Sequence, residues 1–95
     1  MSGTVHSSDP LNERRRRLRF RAWHRGTKEM DLILGRFADA VLADLSDADL
    51  STYEGLMELP DPDLYAWVSG ERPVPAAHDT ALFRRLMAFH GAPRA

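Results

Sequence analysis

Apolar residues along this chain recur with the period of a helix rather than of a strand. Met30, Ile33, Leu34, Phe37, Val41 and Leu45 follow three- and four-residue spacing, which places them on one wide face of a helix. That helix is expected to start at Gly26 or Thr27 and to form the centre of the core. Glu29 and Asp31 fall in its first turn, where negative charge complements the helix dipole. Gly35 interrupts it at a cost of about 1 kcal/mol relative to alanine. Close approach of a neighbouring helix would explain a glycine there.

The rest of the chain divides in the same way. Asp9-Pro10 sets an N-cap residue type before a proline suited to the first helical position, so a helix is expected over about 10–25, closed by Gly26. Ser46, Asp47, Ala48 and Asp49 resemble a capping box and open a third helix carrying Leu50, Tyr53, Leu56, Met57 and Leu59. Asp61-Pro62 repeats the cap-and-proline signal before a short fourth helix that stops at Gly70. Beyond Pro73 and Pro75, a fifth helix over about 76–90 presents Ala81, Leu82, Leu86 and Phe89. Phe37, Tyr65 and Trp67 read as packing residues. Strand signals are missing: there is no alternating β-branched run and no Asn-Gly or Asp-Gly turn. The expected fold class is therefore all-α. It is a small bundle of about five helices in a single domain over 10–90, between a flexible N-terminal tail (1–9) and a C-terminal tail (91–95).

Composition narrows the chemistry. A chain of 95 residues with 43% hydrophobic content supports one modest core. The absence of cysteine excludes disulfides, thiolate metal sites and a cysteine nucleophile. No apolar run approaches the roughly 20 residues of a bilayer span. The opening MSGTVHSSDP lacks the apolar segment of a secretory signal. A cytoplasmic protein with no membrane contact is expected. The histidines, His6, His24, His78 and His90, form no i, i+4 pair and no HExxH, so no metal site is expected. No Gly-rich phosphate loop and no GxSxG elbow occurs, and the acids sit where helix first turns place them. No catalytic and no cofactor-binding residue is assigned.

Charge adds the first functional hint. Net charge is −1, yet residues 1–28 carry eight Lys/Arg against two acids, and residues 29–71 carry eleven acids against Arg36 alone. Residues 72–95 are basic again, with four Arg and one Asp. Arg14, Arg15, Arg16, Arg17, Arg19, Arg21 and Arg25 crowd the first helix, with Phe20 and Trp23 among them. This cluster admits three readings. It is a nucleic-acid surface binding phosphates, a solvated helix packing Leu11, Leu18 and Ala22 on the bundle, or a docking face for an acidic protein surface. The acidic middle segment weakens the first.

Between the basic helix and the apolar helix stands RGTKE, residues 25–29. Gly26 suits a positive φ that ends one helix, and Thr27 suits the cap of the next. Arg25 and Glu29 would then stand together at the exposed corner of a helical hairpin, a fork donor and a carboxylate beside open backbone, which suits a protein partner.

Taken together, RRRRLRFRAWHRGTKEMDLILGRFAD and LMELPDPDLYAWVSGERPVP resemble the FAD assembly factor family, also called succinate dehydrogenase assembly factor 2. The family's arginine-rich helix, RGxxE motif, D-L-x-L-G-x-F segment and later D-x-D-L-Y-x-W segment occur here in order, over roughly residues 14 to 90. The resemblance implies a five-helix bundle that binds the flavoprotein subunit of succinate dehydrogenase, and in bacteria often that of fumarate reductase. It implies that such a protein promotes covalent attachment of FAD to a histidine of that subunit, FAD being the partner's cofactor. It carries the partner contact onto Arg25, Gly26 and Glu29, with Asp31 at the acidic position after the motif. Arg21 and His24, next to the motif, complete the expected contact surface. Trp23 and His24 stand where relatives often carry basic residues. The rival functions are a nucleic-acid-binding module and an antitoxin-like regulator using the first helix.

Overall fold

The computed structural model describes residues 10–91. The expected tails at 1–9 and 92–95, and the Asp9 cap, lie outside the described residues. Helix α1 (Pro10–Trp23) and helix α2 (Lys28–Val41) form a hairpin. A 3-10 turn (Leu42–Asp44) leads to α3 (Asp47–Met57) and α4 (Asp61–Val68). A second 3-10 turn (Ala76–His78) precedes α5 (Ala81–Gly91).

Helix α2 is the central element, as its apolar spacing predicts. Met30, Ile33, Leu34, Phe37, Ala38 and Val41 are all buried. Leu45 is buried too, but after the helix has ended. Tyr53 of α3 and Phe89 of α5 pack on the buried Phe37, with ring centroids 5.7 and 5.6 Å away. The Tyr53 hydroxyl donates to the Leu34 carbonyl at 2.6 Å, so the one polar atom of that ring is satisfied inside the core. Burial pushes the Tyr53 phenol well above its usual value. Gly35 allows the close approach its position suggests. A Cβ there would lie 2.2 Å from Cδ2 of the Trp23 indole, so the last residue of α1 packs flat on the glycine.

Helix ends follow local chemistry. The Thr27 hydroxyl accepts from Met30 N at 3.3 Å and Ser46 Oγ accepts from Asp49 N at 3.1 Å, each satisfying an orphan N–H of a first turn. Several expected boundaries shift, and Leu59, expected on the third helix, lies past the end of α3 at Met57. Helix α1 stops at Trp23 rather than 25. Helix α4 is entered from Pro60 in an extended conformation (φ −65°, ψ 141°), and Asp61 is its first residue rather than its cap. The fifth helix begins at Ala81 instead of 76, because Asp79 leaves helical geometry (ψ 69°) and Thr80 caps Phe83 N at 3.0 Å.

The arginines of α1 are directed at the chain's own acids. Arg14 bonds Glu54 Oε2 (2.9 Å), Asp47 Oδ1 (3.1 Å) and Ser51 Oγ (2.8 Å), all on α3. Arg15 donates to the Leu42 and Leu45 carbonyls, which close the C-terminal end of α2 and its 3-10 turn. Arg19 pairs with Asp39 at 2.6 Å, and Arg16 and Arg17 pair with Glu13. Arg14 holds the Glu54 carboxyl below its ordinary range, and Arg19, followed by Trp23, does the same for Asp39. The acidic surface onto which the basic helix docks is thus within the molecule. With only Leu18 and Ala22 of α1 buried, these pairs register a helix that has little apolar surface to orient it. Leu11, expected to pack, lies at the surface.

Candidate functional site

The turn between α1 and α2 is built from backbone outward. After Trp23 the chain passes through His24 and Arg25 to Gly26, which has φ +110°. Side-chain-bearing residues rarely adopt that value, so glycine is required by conformation. Space is not the reason, since a Cβ at Gly26 would meet nothing within 4 Å. The result is an exposed, uncovered stretch of backbone leading into the N-terminus of α2. Lys28 and Glu29 follow in the first turn, both exposed.

Arg25 does not stand free beside them, as the sequence suggests it should. Its guanidinium turns inward and is only 12% exposed. Nε and Nη2 hold Asp61 Oδ1 at 2.8 and 2.7 Å, Nη1 donates to the Met57 carbonyl at 2.6 Å, and Nη2 donates to the Leu59 carbonyl at 2.7 Å. Its backbone N–H donates to Asp31 Oδ1 at 2.6 Å. The physical reason is that α3 ends with unsatisfied carbonyls at the point where α1 ends, and a planar multi-donor cation satisfies two of them together with a carboxylate. Arg25 thereby clamps the α1–α2 turn to the α3–α4 linker. Asp31, expected on the contact surface, braces the same turn from α2.

The other expected residues face outward. Glu29 is exposed, and the charge of its carboxylate raises the phenol of the neighbouring Tyr65 above its ordinary value. Tyr65 is partly buried and packs on the core edge. His24 is exposed, stacks on Phe20 with ring centroids 4.0 Å apart, and places Nδ1 2.7 Å from the Phe20 carbonyl. Phe20 itself is 63% exposed. Arg21 pairs with Glu58. The turn therefore presents Gly26 backbone, Glu29 and the Phe20–His24 stack, with Arg25 and Asp31 as its internal braces.

Two shallow hollows flank this turn. One, about 500 Å³, is lined by Trp23, His24, Gly26, Thr27 and Lys28 among others. The second, about 380 Å³, lies between α2 and α5 and is lined by Leu32, Ile33, Arg36, Phe89 and His90 together with Lys28 and Glu29. Sequence reasoning missed the second hollow and the role of Asp61. A carboxylate next to proline carries a strong capping signal, and nothing in the linear order of residues pairs position 25 with position 61.

Known proteins share this chain's sequence over most of its length. Residues 16–90 match the model of a family described as flavinator of succinate dehydrogenase. The chain belongs to that family. It is 41% identical over 81 residues to the FAD assembly factor SdhE of Acetobacter pasteurianus, covering 85% of this chain and 74% of that protein. It is 40% identical over 60 residues to the mitochondrial succinate dehydrogenase assembly factor 2 of Mycosarcoma maydis (63% of this chain, 25% of that one). The Dictyostelium discoideum factor of the same name is 31% identical over 74 residues (78% and 52%). The chain spans a quarter to about half the length of these two mitochondrial relatives. The flavinator match takes in α2, α3, α4 and nearly all of α5, with the RGxxE turn at the junction of the first two helices. It favours the assembly-factor reading over the nucleic-acid and antitoxin readings. Among the described residues no helix is long and apolar enough to cross a membrane.

Proposed function

We propose that this protein is an assembly chaperone. It binds the flavoprotein subunit of succinate dehydrogenase in the cytoplasm and promotes covalent attachment of FAD to that subunit, with the flavoprotein of fumarate reductase as a second target. The observation that carries the reading is the turn itself: a positive-φ glycine with open space above it, beside an exposed Glu29, in a chain of the flavinator family. Bare backbone and a carboxylate give a partner chain a place to approach closely and donate hydrogen bonds. Arg25 and Asp31 keep that surface in one conformation, which lowers the ordering cost of binding.

The flavin and the reacting groups belong to the partner, and this chain holds no cofactor and performs no chemistry of its own. Forming a histidyl–flavin bond demands precise placement of ring, flavin and charge-stabilising groups. A partner that binds only the competent arrangement raises its population by its differential affinity. Deleting the gene and reading in-gel flavin fluorescence of the flavoprotein tests the proposal. Loss of the covalent-flavin band, restored by wild-type protein but not by Gly26→Arg or Glu29→Ala, is expected. An unchanged band in the deletion strain overturns it.

A further inference from the structure

Every arginine of α1 has an acidic or carbonyl partner within the chain, whereas the side chains of two cations of α2 have none among the described residues. No side-chain hydrogen bond or ion pair joins Lys28 or Arg36 to another described residue. Both line the α2–α5 hollow, and Leu32 stands between them. Lys28, Leu32 and Arg36 are spaced i, i+4, i+8, so they form one stripe along the helix. At 1.5 Å rise per residue the two charges are about 12 Å apart along the axis. Ile33 and Phe89 form the apolar floor beside the stripe, His90 closes the α5 side, and the one carboxylate of the lining, Glu29, lies beside the Tyr65 phenol. Phe89 is one of three large apolar side chains left exposed among the described residues.

The pattern cation–apolar–cation over that length describes its complement. In an extended segment, side chains two residues apart share a face, and four residue steps cover about 13 Å. An acidic–x–apolar–x–acidic segment therefore matches the stripe, one apolar side chain entering the hollow and a carboxylate reaching each cation. A hollow of about 380 Å³ takes a few side chains, and is too small to seat a helix, whose width with side chains is about 10–12 Å. We infer that the α2–α5 groove is a second docking surface that takes an extended acidic–apolar–acidic segment of the partner flavoprotein. The inference rests on the proposed partner and extends its contact from the RGxxE turn along α2, since Lys28 borders both hollows. The chain's own last residues are a poorer complement, because they add a further cation, Arg94.

The test titrates the flavin-free flavoprotein subunit with the full-length protein and its variants. Arg36→Glu is expected to weaken association about tenfold or more, through loss of one attraction and gain of one repulsion. Arg36→Lys is expected to stay within about threefold of wild type, since a charge remains. Arg85→Glu, the same charge change on an exposed part of α5 outside the groove, is expected to stay within about twofold. Reversing an acidic residue of the flavoprotein, mapped by cross-linking to position 36, is expected to restore binding to Arg36→Glu. If Arg36→Glu binds like wild type while Glu29→Ala does not, the groove inference falls and the turn reading stands. If Arg36→Glu instead abolishes self-association of the free protein and leaves flavoprotein binding intact, the occupant is a second copy and the inference is overturned. Should wild type fail to bind the flavoprotein at all, the proposed function itself is refuted.

Discussion

Replacing Gly35 by alanine sets two effects of opposite sign against each other. Glycine within a helix costs about 1 kcal/mol relative to alanine, so the substitution should stabilise α2 if nothing else changed. The new Cβ would, however, lie 2.2, 2.5 and 2.7 Å from three ring carbons of Trp23. Those distances are far inside van der Waals contact, and the rigid indole cannot bend away at its end. Overpacking of this kind costs about 1–3 kcal/mol. Moving the ring also breaks the 3.3 Å bond from Trp23 Nε1 to Asp39 Oδ1, worth roughly 0.5–1.5 kcal/mol. The clash wins, with a net loss of about 2 kcal/mol from these terms. In a domain of this size that lowers Tm by about 8–16 °C, readable by circular dichroism. The decisive arm is the Trp23→Ala background. There the ring is gone, and Gly35→Ala should become stabilising by about 1 kcal/mol. A rise in Tm on Gly35→Ala in the otherwise wild-type chain would refute the argument.

Two further expectations follow from the clamp and from the charge pairs. Arg25→Lys keeps the charge but cannot reach Asp61 and two carbonyls together; urea denaturation should show a loss of about 3 kcal/mol, with Asp61→Asn losing less, and wild-type stability in Arg25→Lys would contradict the inward orientation. Glu54 has its folded carboxyl depressed by Arg14 below the ordinary 4.5. Its stabilising contribution is therefore full above that value and is lost as pH falls through the folded value. Glu54→Gln should flatten the decline of the urea midpoint below about pH 4.5, and parallel curves for the two proteins would refute the pairing.

How far the sequence could be read depended on the range of the interaction concerned. The buried face of α2, the Thr27 and Ser46 caps and the positive φ of Gly26 depend on neighbours within a few residues, and spacing displayed them. The reason for Gly35 was also legible, though not that Trp23 was the neighbour. Charge segregation was plain, but totals do not say which arginine meets which acid. Only the packing of α1 across α3 pairs Arg14 with Glu54, forty residues on. Arg25 was misjudged for a related reason. Two of its acceptors are backbone carbonyls, 32 and 34 residues away, and carbonyls are the one kind of hydrogen-bonding group that every position carries. The start of α5 lies beyond the expected 76 because the cap is Thr80, further along the chain than the end of the Pro73–Pro75 loop.

The choice of carbonyl oxygens as the anchor of Arg25 has a consequence for how such proteins diverge. A clamp made to the peptide groups of residues 57 and 59 constrains where that linker runs and by itself asks nothing of its exposed side chains, so Glu58 is held only by its pair with Arg21. Mutation can drift through the very segment that holds the motif in place without disturbing it. A comparison of side chains alone would then credit Arg25 and Asp61 with a role they share with an anonymous piece of main chain.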